Sequence, residues 1–149
     1  MSVSNAQYAA LLQRIGELEN DNRFRAHIAA IREEYSIVAV SGQLADISTA
    51  DQIYIPALSV MAGEIVEVRA VIDAPITLAD SVITLKIGGV TVTDASITVS
   101  FSGSAAGDTF VSYPSADRTV FAGGSIEIET DGASTSTVKC MITLLIKRL

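Results

Sequence analysis

The sequence predicts a mainly β protein, a jelly-roll-like antiparallel β-sandwich preceded by an N-terminal helical segment. Over the first 35 residues, apolar side chains recur every three or four positions, which is the spacing of one face of an α-helix. From residue 36 onward, short runs alternate apolar and polar residues, as on a half-buried strand. Gly, Asp, Ser or Pro separates most runs and no helical pattern lies between them, which excludes parallel βαβ units. We therefore divide the 149 residues into a helical attachment or oligomerisation segment, 1–41, and a β-sandwich domain, 42–149.

Two apolar stripes make up the helical segment. The first has 3-4-3 spacing and consists of Tyr8, Leu11, Ile15 and Leu18. The second has 4-3-4 spacing, starts six residues after the first ends, and consists of Phe24, Ile28, Ile31 and Tyr35. One long helix could shift phase at Asn22, or two helices could follow each other, the second capped by Asn20 or Asp21. The polar run Glu-Asn-Asp-Asn between the stripes favours two helices.

These stripes predict contact with another chain. Ile15 with Leu18 suits the a and d positions of a dimeric coiled coil, whereas Ile28 with Ile31 suits a trimer. The alternative is an amphipathic helix that packs on its own domain or on a partner protein. We favour intermolecular contact, because the stripes precede a domain that is predicted to be self-sufficient.

Nine strands are predicted after the helical segment, rich in Val, Ile and Thr. They lie at 36–40, 52–55, 64–72, 82–87, 90–93, 96–101, 109–113, 125–129 and 137–146. Gly88-Gly89 between two alternating runs predicts a two-residue hairpin turn. This number of strands without intervening helices is typical of a β-sandwich or a jelly roll.

Two of the predicted strands are apolar on both faces. In 137–146, Met141 and Leu145 occupy the face opposite the main apolar one. In 64–72, Ile65 and Val71 would oppose a second apolar set, which consists of Val66, Val68 and Ile72. A strand that is apolar on both faces is expected to be buried on both, as at a subunit interface. Met141 and Leu145 are therefore candidate interface residues.

The composition predicts self-association and argues against two classes of partner. Hydrophobic residues make up 49% of the chain and charged residues 18%, and the mean hydropathy is +0.42. Covering the resulting apolar surface with further copies of the chain is the simplest arrangement. The net charge of −7 argues against binding to nucleic acid or to an anionic membrane, because both would require a basic patch. No secretory signal or spanning helix is recognised, so we expect synthesis in the cytoplasm.

The residues predict no catalytic, metal or cofactor site, and we expect no enzymatic activity. His27 is the only histidine and lies far in sequence from any nucleophile, which leaves a catalytic triad without its base. Cys140 is in phase with the buried face of its strand and is predicted to be an unreactive buried side chain. Glu127, Glu129 and Asp131 share one strand face and are interpreted as a solvated surface. A hydrolase that uses Glu127 and Glu129 is the least favoured alternative.

Four stretches of the β region carry a resemblance to a known family. They are ADISTADQIYIPA at 45–57, AVIDAPITLADSVITLKIGGVTVTDASITV at 70–99, GSAAGD at 103–108 and VFAGGSIEIETDGAS at 120–134. In strand order, turn signatures and low-charge Ser/Thr/Ala composition, the chain resembles the head-fibre or capsid decoration-like β-sandwich proteins of tailed bacteriophages, over about 45–146.

The resemblance implies a homotrimeric jelly-roll-like module on the capsid surface of a virion. It implies that the N-terminal segment attaches the module to the major capsid protein. The candidates for an oligomer or capsid interface are therefore Tyr8, Leu11, Ile15, Leu18, Phe24, Ile28, Ile31, Met141 and Leu145. The resemblance implies no cofactor. A glycan- or receptor-binding module of a phage fibre is the second hypothesis, with Tyr113 and Phe110 as the expected contacts.

Overall fold

The computed structural model describes residues 5–34, 36–56 and 62–149. The described chain is mainly β, with one helix before the first strand. It divides into two units, Met1–Ser36 and Ile37–Leu149. Each unit is described by itself below.

The first unit contains a single continuous helix, α1 (Asn5–Glu34), of 30 residues. The preference for two helices is therefore wrong. The polar run between the stripes contains neither Pro nor Gly, and Asn or Asp costs only about 0.7 kcal/mol per residue relative to Ala in a helix. An ion pair from Arg25 to Asp21, with 3.2 Å between Nε and Oδ2, also links consecutive turns there. Tyr35 lies outside the described residues, as does the side chain of Ile31.

The described residues of the second unit form ten strands. They are β1 (Ile37–Leu44), β2 (Ala50–Pro56), β3 (Gly63–Ile72), β4 (Ser81–Ile87), β5 (Val90–Thr91), β6 (Ile97–Val99), β7 (Thr109–Ser112), β8 (Thr119–Val120), β9 (Ser125–Asp131) and β10 (Cys140–Arg148). Each predicted strand overlaps one of these, and β8 was not predicted. Strand β1 continues through residue 41, so the placement of 37–41 with the helical segment needs correction: those residues pair with β10 in a sheet.

The strands form two antiparallel sheets, and their order confirms the predicted jelly roll. In the first sheet the order is β1-β10-β3-β7, with β8 also paired to β3. In the second sheet the order is β2-β9-β4-β5, with β6 also paired to β4. The chain alternates between the sheets at its start and at its end, so β10 lies between β1 and β3 while β9 lies between β2 and β4. This arrangement is that of a jelly roll.

The core of the second unit is aliphatic. Its largest fully buried side chains are Leu44, Ile47, Ile65, Val68, Ile72, Ile76, Leu85, Ile126, Ile128, Ile142, Leu144 and Ile146. They come from both sheets and from the connections between them. Cys140 is also fully buried, as predicted, and burial raises the pKa of its thiol to about 12.

A bulge in β3 changes which of its residues face the core. The register of pairing with β10 shifts at one point: Leu145 pairs with Glu67, but the next residue, Ile146, pairs with Ile65. One extra residue in β3 therefore brings Ile65 and Val68 to the same, buried side. The expectation that Ile65 shares a face with Val71 is wrong for this reason, because strict alternation holds only within an unbroken ladder.

Aspartates hold the loops at one end of this unit. The Asp46 carboxylate accepts hydrogen bonds from the backbone N–H of Ser48 at 2.8 Å and of Val138 at 3.0 Å. Asp73 accepts one from Lys139 at 2.7 Å. Four connections between strands converge at this end, and each is joined to another by at least one hydrogen bond. They are residues 45–49, 73–80, 100–108 and 132–139. Side-chain acceptors thus satisfy backbone donors that no sheet partner reaches.

Candidate functional site

Helix α1 exposes its apolar stripes. Tyr8 is 59% exposed, Leu18 also 59% and Phe24 63%, while Ile28 is half-buried. Leu11 and Ile15 are exposed as well, and so is Leu12, which was not among the candidate interface residues. Leu12 follows Tyr8 by four positions, and that spacing could have identified it. An apolar surface of this length is typical of a contact with another protein.

The continuous helix separates the two stripes in direction. Successive residues on an α-helix differ by about 100°, so Phe24 and Ile28 point roughly 140° away from the mean direction of the first stripe. The two stripes therefore cannot form one seam along a straight helix. A single helix can instead present one stripe to one neighbour and the second stripe to another.

The outer face of the first sheet carries a group of apolar side chains. Met141 of β10 is 45% exposed and lies between Gln43 of β1 and Val71 of β3. The exposed or half-buried apolar residues of this outer face are Ile37, Ala39, Val71, Val111, Met141 and Leu145. Met141 and Leu145 thus lie on the predicted outward side, next to apolar neighbours from three strands. Ile37 and Val111 were not candidates, because the facing of such short runs is set by pairing partners that the sequence does not show.

Polar and charged residues also lie on this face, with Gln43 and Lys147 towards its ends and two polar contacts in its middle. The hydroxyls of Ser41 and Thr143 lie 3.0 Å apart across β1 and β10. On the adjacent strand, Arg69 Nε contacts the Glu67 carboxylate. Both contacts are internal to the sheet, so they present little unpaired charge to an approaching apolar surface.

The outer face of the second sheet is charged and internally paired. Lys86 Nζ lies 2.5 Å from Glu129 Oε2, and the Gln52 amide donates to the Glu127 carboxylate. The hydrogen bond from Lys86 holds the pKa of Glu129 below its ordinary value, and the same bond raises the pKa of Lys86. Glu127 and Glu129 are half-buried members of a surface network, and each already has a polar partner. An open depression of about 540 Å³ at Gln52 and Glu129 lies beside this network.

The two expected glycan contacts are separated by the fold. Tyr113 follows β7 directly and is 67% exposed. Phe110 packs against the core of the β unit and is half-buried, so the structure corrects its assignment as an exposed contact. The two residues are three positions apart in an extended chain and therefore point to opposite sides.

Chemistry-bearing residues remain dispersed. His27 is exposed on α1, and Cys140 is buried in β10. Within the described ranges, no three His, Cys, Asp or Glu side chains are grouped so that they could hold a metal ion. Over the same ranges, no helix combines the length and the hydrophobicity that crossing a membrane requires.

Comparison with known proteins yields no family. No protein-family model matches the chain, and no curated protein matches it. Among solved structures, similar chains include one from the cyanophage Pam1 capsid, at 17% identity and TM-score 0.45, covering 74% of this chain and 84% of that chain. Another is from the capsid of Helicobacter pylori bacteriophage KHP30, at 14% identity and TM-score 0.42, covering 74% and 94%.

A further similar structure is CsCBM6-3 from Clostridium stercorarium in complex with cellobiose, at 12% identity and TM-score 0.44. The match covers 74% of this chain and 81% of that chain. Similarity at these identities and TM-scores assigns the chain neither to a family nor to an activity.

Proposed function

We propose that this chain is a structural virion protein, a homotrimeric capsid decoration protein of the cement or head-fibre kind. Its N-terminal helix docks on the lattice of the major capsid protein, and its β-sandwich projects from the capsid surface. The role is non-enzymatic, needs no cofactor and involves neither nucleic acid nor membrane.

One observation carries the proposal: an exposed apolar helix accompanies a jelly roll that has a core of its own. Tyr8, Leu18 and Phe24 are each more than half exposed, whereas the buried aliphatic residues all belong to Ile37–Leu149. Burial of an apolar side chain of this size contributes about 1.5–3 kcal/mol. A partner that covers several of them would supply most of the energy of attachment.

The two faces of α1 suit two contacts within such an assembly. The first stripe would join copies of the chain, and Phe24 with Ile28 would contact the capsid protein. The apolar residues on the outer face of the first sheet, which include Met141 and Leu145, would add contact between copies. Symmetric copies on a symmetric lattice would gain avidity from several weak contacts.

Co-sedimentation with purified capsid shells of the virus that encodes the chain tests the docking. We expect the full-length protein to sediment with the shells and a variant lacking residues 1–35 to stay in the supernatant. The truncated variant should keep a cooperative unfolding transition, because its core is complete. Binding of that variant at full stoichiometry would contradict docking through the helix.

A matched pair of substitutions refines the same assay. The double variant Phe24→Ser, Ile28→Ser removes the second stripe, whereas Gln13→Ser changes an exposed polar residue on the same helix. We expect a loss of shell binding only for the first variant. Equal binding of both would place the capsid contact elsewhere.

A glycan-binding role is the second candidate, and the exposure of Tyr113 favours it. An aromatic ring that is 67% exposed offers a stacking surface for a sugar. A glycan array with the wild-type protein tests this role, and Tyr113→Ala should abolish any hit while Tyr54→Ala, on the other sheet, should not. The absence of any hit would remove this candidate.

A further inference from the structure

We propose that the first half of α1 forms a parallel coiled coil between copies of this chain, held in register by an ion pair between Arg14 of one copy and Glu19 of the next. The inference rests on the self-association contained in the proposed function. It adds the orientation of the helices, their register and the residues that set both.

The seam of this coiled coil, the first apolar stripe, follows a heptad pattern over two heptads. With Tyr8 at position a, Leu11 falls on d, Ile15 on a and Leu18 on d. All four are exposed in the isolated chain, at 44–59%. The outward positions of the same heptads carry small or polar side chains such as Gln13, Gly16 and Glu17, which are exposed. Over the first half of the helix, the apolar seam is therefore a strip whose opposite side is small or polar.

Charge complementarity identifies the occupant as a second copy and fixes its direction. Arg14 lies at position g and Glu19 at position e of the following heptad. In a parallel coiled coil these two positions face each other across neighbouring chains, so a dimer would contain two such pairs of opposite sign and a trimer three. In an antiparallel pair, g positions face g positions and Arg14 would lie beside Arg14 of the other copy. Neither residue has an ion-pair partner within the described parts of its own chain.

The seam ends at Asn22. This residue occupies the next a position, where a single Asn is known to fix register at some cost in stability. The following d position is Arg25, whose guanidinium pairs with Asp21 of the same helix at 3.2 Å. Beyond Asn22 the apolar residues move to another face, so the coiled coil does not extend through Phe24.

The pattern contains two opposing tendencies for the number of chains. Ile15 at a with Leu18 at d favours two strands. Leu12 at position e is 53% exposed and widens the apolar strip on one side, as a third helix requires. The mass of the assembly decides between them without affecting the orientation.

Disulfide trapping in the full-length protein tests the orientation. Leu18→Cys places a thiol at a seam position that adjoins its own counterpart only when the helices are parallel, whereas Gln13→Cys places one on the outward side. The native Cys140 is fully buried and does not compete. Under mild oxidation we expect a covalent dimer from Leu18→Cys and little from Gln13→Cys. Equal yields from both, or none from Leu18→Cys, would overturn the parallel seam.

A charge-swap cycle tests the register, with native mass measured by light scattering over a concentration series. Arg14→Glu creates a like-charge contact at every interface, and we expect the midpoint concentration for assembly to rise roughly ten-fold. Adding Glu19→Arg should restore it, because the pair is then reversed rather than removed. Circular dichroism checks that both variants keep the helix. An unchanged midpoint in the single variant, or no rescue in the double variant, would overturn the pair.

Failure of this inference and failure of the proposed function are distinguishable. A monomeric protein overturns both the seam and the homotrimer. A mass of two chains together with a Leu18→Cys cross-link retains the parallel seam and overturns the homotrimer. A cross-linked trimer that does not sediment with capsid shells retains the seam and overturns the capsid role.

Discussion

Helix α1 and the β unit satisfy their apolar residues in opposite ways. In the β unit, residues from distant parts of the sequence bury one another, as Ile142 and Leu144 of β10 do between β1 and β3. In α1 the backbone is satisfied locally, while Tyr8, Leu18 and Phe24 remain exposed. The difference indicates that internal packing sets the stability of the β unit, whereas α1 depends within the chain on intrinsic helix propensity.

The largest effect is expected at Gly132, where the packing of the β unit leaves no space. Its φ is +66°, and a Cβ there would lie 2.0 Å from the backbone nitrogen of Ala50. Gly132→Ala should lower the free energy of unfolding of the β unit by more than about 3 kcal/mol, because backbone rather than a flexible side chain must move. Guanidinium denaturation measures this loss.

Gly88→Ala is the matched control for that substitution. Gly88 also has a positive φ, +58°, but a Cβ there would meet nothing within 4 Å. Only the conformational cost of about 1–2 kcal/mol should appear. Equal losses for the two variants would show that close packing at Gly132 is unimportant, and would weaken the description of the β unit as limited by its internal contacts.

The second effect concerns Asp46 and is dependent on pH. Burial raises the pKa of Asp46, but hydrogen bonds from the N–H groups of Val138 and Ser48 and from the Thr49 hydroxyl outweigh it and leave the pKa below its ordinary value. Its stabilisation is therefore fully present above the ordinary carboxyl pKa of about 4 and is lost as the pH falls through the lower folded value.

Two substitutions at Asp46 separate hydrogen bonding from charge. Asp46→Ala removes every acceptor and should cost about 2 kcal/mol at pH 7. Asp46→Asn keeps an oxygen for Ser48 and Val138, so it should cost less and should flatten the decline in unfolding free energy below about pH 4. An unchanged acid profile in the Asn variant would show that this carboxylate does not couple stability to pH.

A smaller contrast lies within the buried hydroxyls of the β unit. Ser81 donates to the Ile47 carbonyl at 2.6 Å and lies 3.0 Å from the Thr130 hydroxyl. The Ser48 hydroxyl is buried and has no partner at good hydrogen-bond geometry among the described residues, although its proximity helps to lower the pKa of Asp46. Ser81→Ala should destabilise by about 1 kcal/mol, whereas Ser48→Ala should be neutral or stabilising. Thermal unfolding of the two variants side by side gives the comparison, and a loss of similar size in both would contradict it.

The smallest effect is expected in α1, at Gly16. This residue is exposed, and a Cβ there would meet nothing within 4 Å. Gly16→Ala should stabilise the helix by about 0.5–1 kcal/mol through propensity alone. The temperature at which the helical ellipticity at 222 nm is lost should rise, while the midpoint temperature of the β unit should not change. A shift of both transitions would show that the two units do not unfold independently.

Much of this architecture could be predicted from residue patterns because it depends on local periodicity. The apolar period identifies α1 and the strand regions, and the alternation around Ile126 and Ile128 correctly places Glu127 and Glu129 outside. Strand β8, of two residues, was not predicted because so short a run shows no period. Its region is held by Arg118, which donates to the Pro114 carbonyl at 2.9 Å and to Glu64 at 3.1 Å.

The candidate interface was predicted only in part, because exposure depends on what the rest of the chain covers. The sequence shows that Met141 is apolar. That it shares one outer face with Val71 and Ile37 follows only from the pairing of the strands. Phe110 is the opposite case. It was expected to be an exposed contact, but its position in the short strand β7 directs the side chain to the core. The candidate interface residues, including Tyr8 and Leu145, remain predictions until the oligomer and its capsid contact are measured.

The sequence by itself determined the class of this protein, its helical N-terminal region, the approximate positions of all but one strand and the acidic face of β9, because each depends on neighbours within a few residues. The tertiary structure alone decided that α1 is continuous, that its two stripes therefore diverge, that β3 contains a bulge, and that one sheet gathers apolar side chains on its outer face while the other carries a paired charged network there. The bulge and the outer faces of the sheets depend on contacts between residues far apart in the chain. The continuity of α1 depends on a free-energy difference of about 1 kcal/mol between one continuous helix and two helices. Local patterns do not resolve energy differences of that size.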